Sequence, residues 1–198
     1  MASLARLHMI TFAQATTGLW LILIIYWLVA AMLAKRNAGG TWWKGATFCT
    51  ALAFGIILLL RMSFRGQVGT HAPHAVTSVG IVTGSVGVGI CALGIAIAIW
   101  ARTHLGRNWG MPMSLRVRHE LVTTGPYAYV RHPIYTGILL AFTGSTLVNW
   151  FPRILLLGVF LAYFAYAAKA EERSMIKQFP KEYPAYVKRT KMLVPFLL

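Results

Sequence analysis

Aspartate is absent from this chain, and only four glutamates, Glu120, Glu171, Glu172 and Glu182, stand against 19 lysines and arginines. With acids so scarce, each one carries information, and all four fall in the second half of the sequence. Cysteine is nearly absent as well. Cys49 and Cys91 both lie inside apolar blocks, a context that points to buried structural thiols rather than to metal or disulfide chemistry. A cleavable leader is not expected, because the first apolar block is too long and lacks a small-residue cleavage site. Nor is there a dinucleotide fingerprint, since Gly87-Val88-Gly89 follows no strand and sits within a hydrophobic run. His71 and His74 flank Pro73 without a third ligand nearby, so no metal site is expected.

What the chain does have is long apolar runs. Of its 198 residues, 58% are hydrophobic, and the mean hydropathy is +0.63. A soluble domain disperses its apolar residues. Here they come in blocks of about 20, the length that crosses a hydrocarbon core of roughly 30 Å. The reading is an all-α, polytopic membrane protein of about five transmembrane helices, near 12–34, 45–61, 75–100, 134–150 and 154–168. Residues 1–74 form an N-terminal two-span region, and 75–198 a core of spans three to five with the connecting loop and C-terminal helices. Gly80 and Gly84 form a GxxxG pair suited to close helix packing. Phe151-Pro152-Arg153 is expected to make a tight turn. Past Ala168 the text AKAEERSMIKQF can continue the fifth helix into water until Pro180 ends it.

The net charge of +15 does not indicate nucleic acid, because the basic residues flank apolar spans. It indicates orientation. Five spans would place Lys35, Arg36, Lys44, the arginines between Arg102 and Arg131, and everything basic from Lys169 onward on one side. Arg6, Arg61, Arg65 and Arg153 would lie on the other. The excess predicts that the C-terminus and the 102–135 stretch are cytoplasmic. The two polar clusters of the chain then share one face.

The first cluster is Arg131-His132-Pro133, opening the fourth span, where proline suits the first helical turn. Arg131 could snorkel to headgroups and His132 could cap. However, Tyr127, Tyr129 and Tyr135 bracket the triplet, and Gly125-Pro126 dictates a turn that folds His119 to Val122 back toward it. Aromatic faces, a titratable imidazole and free backbone groups suit a cationic, adenine-bearing cofactor. The second cluster is Glu171-Glu172 near the end of a membrane helix, where a carboxylate needs a partner or a task. Adjacent helical residues point about 100° apart. One glutamate therefore faces the site, and the other a structural partner such as an arginine.

Three pieces of text carry a resemblance: LGRNW at 105–109, HELVTTGPYAYVRHPIYTG at 119–137 and EERSMIKQFPKEYPAYVKRT at 171–190. They are similar to the superfamily of isoprenylcysteine carboxyl methyltransferases and phosphatidylethanolamine methyltransferases, integral membrane enzymes. The resemblance implies S-adenosylmethionine as methyl donor, with S-adenosylhomocysteine as product. It also implies a cytoplasmic cofactor pocket formed by the loop between spans three and four and by the C-terminal helix. Carried over by motif, His119, Leu121, Val122, Tyr127, Arg131, His132 and Tyr135 line that pocket. Glu171 or Glu172 contacts it from the C-terminal helix. Arg131, His132, Glu171 and Glu172 are the candidate catalytic residues; Asn108, Trp109 and Tyr186 are weaker candidates.

One departure stands out. The prenylcysteine branch usually carries arginine one turn before the glutamate pair, and here that place is Ala167, with Lys169 on another part of the helix. Pro180 stands where glycine is common. The acceptor is therefore left open among a carboxylate, an amine and a thiol. A carboxylate or thiolate needs no general base, whereas an amine must lose a proton to a group such as Glu120, His104, His119, His132 or the glutamate pair. The expected partner is a lipophilic small molecule or lipid entering from the bilayer. A lipid-amine N-methyltransferase, an NADPH-dependent sterol-reductase-like enzyme and a non-enzymatic membrane protein are the competing readings.

Overall fold

The computed structural model describes residues 2–35, 78–106, 120–148 and 150–194. Its helices are α1 (Ala2–Lys35), α2 (Ser78–Leu105), α3 (Pro133–Val148), α4 (Trp150–Gln178) and α5 (Glu182–Arg189). A 3₁₀ turn, Gly125–Ala128, precedes α3. Three of these helices contain stretches long and apolar enough to cross a membrane: Thr11–Ala30, Gly80–Leu105 and Ile154–Gln178. The apolar helix α3 is shorter, at 16 residues. The second expected span, Cys49, His71 and His74 lie outside the described residues.

α1 runs parallel to α2. Phe12 lies beside Gly84, and Trp20 reaches Ser145, which in turn touches Cys91. α2 and α3 are antiparallel and closely packed, but not through the expected glycine pair. Of that pair, Gly84 faces Phe12 of α1, and a side chain at Gly80 meets nothing among the described residues. The seam instead uses glycines seven apart on both helices. A Cβ at Gly94 would stand 2.5 Å from the Gly137 carbonyl oxygen, and one at Gly144 would stand 2.5 Å from that of Gly87. The backbones touch because no side chain separates them, which allows the dispersion contacts that hold helices together in lipid.

Trp20, Leu23 and Trp27 of α1 share one apolar cluster with Ile95 of α2, Phe142 of α3 and Phe164 of α4. Within it, Trp20 Nε1 donates to Ser145 Oγ at 2.9 Å, so the indole and hydroxyl satisfy each other where water is excluded. Phe142 stacks on Phe160 with centroids 4.4 Å apart.

Residues 151–153 do not form the expected turn, because they already belong to α4. Proline lacks the N–H that is orphaned in a first helical turn anyway, so Pro152 starts the helix rather than breaking it. At its other end α4 continues through the polar text, as expected, and stops at Gln178, two residues before Pro180.

Candidate active site

The site forms where α2 ends, α3 begins and α4 leaves its apolar run. Glycine is required on the approach. Gly125 has φ +60, a left-handed conformation that costs other residues about 1–2 kcal/mol. A Cβ there would also lie 2.7 Å from the His104 ring. His104 Nε2 and Thr124 Oγ1 are 2.9 Å apart, which fastens the turn to the end of α2. The Tyr127 hydroxyl lies 3.4 Å from the Ala101 carbonyl oxygen. His104, considered above as a possible base, is thus occupied as a latch.

The chain then meets its own C-terminal arm. Val130 pairs with Lys191 in a single parallel bridge. Arg131 N donates to the Lys191 carbonyl oxygen at 2.8 Å, and His132 N to that of Met192 at 3.1 Å. Arg131 does not snorkel. Its Nε donates to Glu172 Oε1 at 2.6 Å, and its Nη1 donates to the carbonyl oxygens of both Val187 and Thr190. One guanidinium therefore ties the opening of α3 to the end of α4 and to the arm beyond α5.

Glu171 turns the other way, as the helical rotation requires. Tyr135 donates its hydroxyl proton to Glu171 Oε1 at 2.6 Å. The His132 ring lies between the two carboxylates, with Nδ1 3.4 Å from Glu171 Oε2 and Nε2 3.4 Å from Glu172 Oε1. It stacks nearly flat on Tyr135, with an interplanar angle of 8°, and Tyr135 stacks in turn on Phe164. The His132 side chain is only 9% exposed, and its Nε2 makes no hydrogen bond among the described residues. Burial by itself lowers the imidazole's proton affinity, but the two carboxylates outweigh it and hold His132 above the ordinary histidine value. Burial pushes Tyr186 up to about 12, so it keeps its proton and donates to the Tyr127 carbonyl oxygen at 2.6 Å.

Arg131, His132, Tyr135, Glu171 and Glu172 thus come together, with Tyr127 attached through Tyr186. Leu121 and Val122 are half-buried, and the backbone of 121–123 makes no backbone hydrogen bond among the described residues. Glu120 is exposed. His119, Asn108 and Trp109 lie outside the described residues. Ala167 is buried one turn before Glu171, whereas Lys169 is exposed. Sequence reasoning missed the carbonyl oxygens of 187–193. Backbone acceptors have no residue signature, and only Thr190 in the motif text marked their position.

A chain built of membrane-length apolar helices, with a buried cation, imidazole and carboxylate cluster at one end of the bundle, is an integral membrane protein with an enclosed polar site. It belongs to the phospholipid methyltransferase family, whose profile matches residues 82–182, just over half of its length. The chain is similar to methanethiol S-methyltransferase 1 of Bradyrhizobium diazoefficiens, 36% identical over 35% of this chain and 24% of that protein. It is similar to the protein-S-isoprenylcysteine O-methyltransferase of Saccharomyces cerevisiae, 32% identical over 40% of this chain and 34% of that protein. It is also similar to the cobalt-zinc-cadmium resistance protein CzcN of Cupriavidus metallidurans, 35% identical over 53% of this chain and 47% of that protein. The chain therefore spans less than half the length of these curated relatives.

Proposed function

We propose that this chain is an S-adenosylmethionine-dependent methyltransferase of the membrane, acting on a lipophilic acceptor of the isoprenylcysteine type or a related small molecule. The observation that carries this reading is the meeting of Glu171 with Tyr135 and His132 at a buried, partly unsatisfied corner. The names of two relatives, one for a thiol and one for an isoprenylcysteine acceptor, support the reaction class.

The residues fit such a cofactor. His132 Nε2 is buried, makes no hydrogen bond among the described residues and has Glu172 Oε1 3.4 Å away, so a ligand group there would complete its bonding. The backbone of 121–123, which makes no backbone hydrogen bond among the described residues, offers donors and acceptors to a nucleoside. Glu171 is the carboxylate for a cationic centre or for ribose hydroxyls. When bound, S-adenosylmethionine supplies an already activated methyl group.

What remains for the protein is alignment and exclusion of water. Arg131 is committed to Glu172 and the arm, so it serves as a positioning residue. Glu171 can take the proton of an amine acceptor, whereas a carboxylate or thiolate acceptor needs no base. The lipid-amine alternative differs from the main reading at this step, because only it predicts that activity depends on a free base.

We also infer five spans with the site in the cytoplasm. α1 and α2 run parallel, so if both cross the bilayer the chain between them must return across it, and the 45–61 block has the length and composition to do so. Titration calorimetry in detergent with S-adenosylhomocysteine, followed by transfer of labelled methyl into membrane extracts, tests the reading. Saturable binding with a labelled apolar product is expected; absence of binding by either cofactor form would discard it.

A further inference from the structure

The outward face of α4 takes no part in the site. Leu155, Val159, Tyr166, Lys169, Arg173 and Lys177 are all exposed. At about 100° per residue they fall within an arc of roughly 80°. They therefore form one continuous stripe that runs from aliphatic, through one tyrosine, to three cations. Buried Phe164 and Ala168 and half-buried Glu171 occupy the opposite face, and half-buried Glu172 lies at its side. The helix has 29 residues, so at 1.5 Å per residue it is about 43 Å long, and it outreaches a hydrocarbon core of roughly 30 Å. Arg173 and Lys177 lie on the excess length, and Lys169 at its edge. A free-standing run of lysines would be a solvated face. These cations stand directly above the aliphatic part of the same stripe, in the order in which a phospholipid presents acyl chain, glycerol and phosphate. No glutamate lies on the stripe, because Glu171 and Glu172 are turned inward to Tyr135 and Arg131.

We propose that this stripe binds an anionic glycerophospholipid of the surrounding membrane. Its acyl chain lies along Leu155 and Val159, and its headgroup meets Lys169, Arg173 and Lys177. Charge complementarity selects the anionic headgroup, and the tyrosine fits the interfacial level. The lipid is a resident of the membrane, distinct from any methyl acceptor, and it sits one helix diameter, about 10 Å, from the glutamates. It thereby holds the site at a fixed height relative to the bilayer. The inference rests on the membrane placement of α4, not on the methyl-transfer reading.

Native mass spectrometry of the full chain in mild detergent, offered equal phosphatidylglycerol and phosphatidylcholine, tests the proposal. The unmodified protein should retain phosphatidylglycerol at least about tenfold more. The triple variant K169Q/R173Q/K177Q should lose that preference. K181Q/K188Q/R189Q, with the same change in charge but away from the stripe, should keep it. Equal retention of both lipids by the unmodified protein overturns the proposal. So does equal loss in both triple variants, which would reduce the effect to net charge. Release of the lipid by millimolar inorganic phosphate would indicate a free-anion site and overturn it too. Because the readout is retained lipid, failure of cofactor binding leaves the result interpretable.

Discussion

Arg131 Nε lies 2.6 Å from Glu172 Oε1, with side chains 10% and 18% exposed, and the same guanidinium reaches the carbonyl oxygen of Thr190. Three segments far apart in the chain therefore depend on one cation. Removing either partner leaves a charge in a poorly solvated place, a loss that costs about 3–5 kcal/mol for buried pairs. Glu172→Ala and Arg131→Ala should each lower the melting temperature in detergent markedly. The double variant should be much less than additive, as a thermal-shift double-mutant cycle will read.

Glu171 should behave differently. Its carboxylate accepts from Tyr135 and faces the His132 ring, but it carries no arginine. Glu171→Gln is expected to fold with little change in melting temperature while S-adenosylhomocysteine affinity falls. Tyr135→Phe removes one hydrogen bond to a charged group that the chain makes without any ligand, so it should cost about 1.5–3 kcal/mol of stability. Calorimetry on the first variant and a melting curve on the second check the pair.

The α2–α3 seam makes a prediction that composition alone could not. Gly94→Ala would place its Cβ 2.5 Å from a backbone carbonyl oxygen of α3, an atom that cannot swing aside. Overpacking of this kind costs about 1–3 kcal/mol. Gly89→Ala on the same helix, whose side chain meets nothing among the described residues, should be neutral or slightly stabilising. Parallel melting curves separate the two.

The loop latch can be dissected with two glycines. Gly106 and Gly125 both have positive φ, +50 and +60, but a side chain at Gly106 meets nothing among the described residues, whereas one at Gly125 meets His104. Gly106→Ala should show backbone strain alone, about 1–2 kcal/mol. Gly125→Ala should be worse and should also weaken S-adenosylhomocysteine binding, since it displaces the segment leading to Tyr127.

His132 gives a pH dependence with a definite sign. The folded protein holds its proton more tightly than the unfolded chain does, because Glu171 and Glu172 outweigh the effect of burial; Arg131 and Tyr135 are its other polar neighbours. The resulting stabilisation is fully present below the unfolded value of about 6.5 and fades as pH rises through the higher folded value. The melting temperature should fall across that window. A His132→Gln variant should show a flatter profile, and an equally steep fall in that variant would move the titration to another group.

Much of this was readable in residue order. Apolar block length marked the helices, because hydrocarbon thickness fixes how many residues are needed to cross it. The glutamate pair could be divided into one inward and one arginine-bound member from helical rotation alone, and the structure assigns Glu172 to the arginine. The turn expected at 151–153 was misplaced, because proline breaks a helix only where its missing N–H would have been used. The packing role expected of Gly80 fell to Gly94 and Gly137, because a glycine motif states that close approach is possible but not which neighbour takes it up.

The sequence by itself determined an all-helical membrane chain, the family motif text and the residue types of the site. Those depend on local chemistry: period, length, charge and the rarity of acids. Tertiary structure alone decided that the arm at 187–193 lies on residues 130–136, that His104 latches Thr124, and that the His132 ring is held between two carboxylates. These are contacts through backbone carbonyl oxygens and ring faces across tens of residues. Such atoms are present in every stretch of chain, so only the packing shows which of them meet.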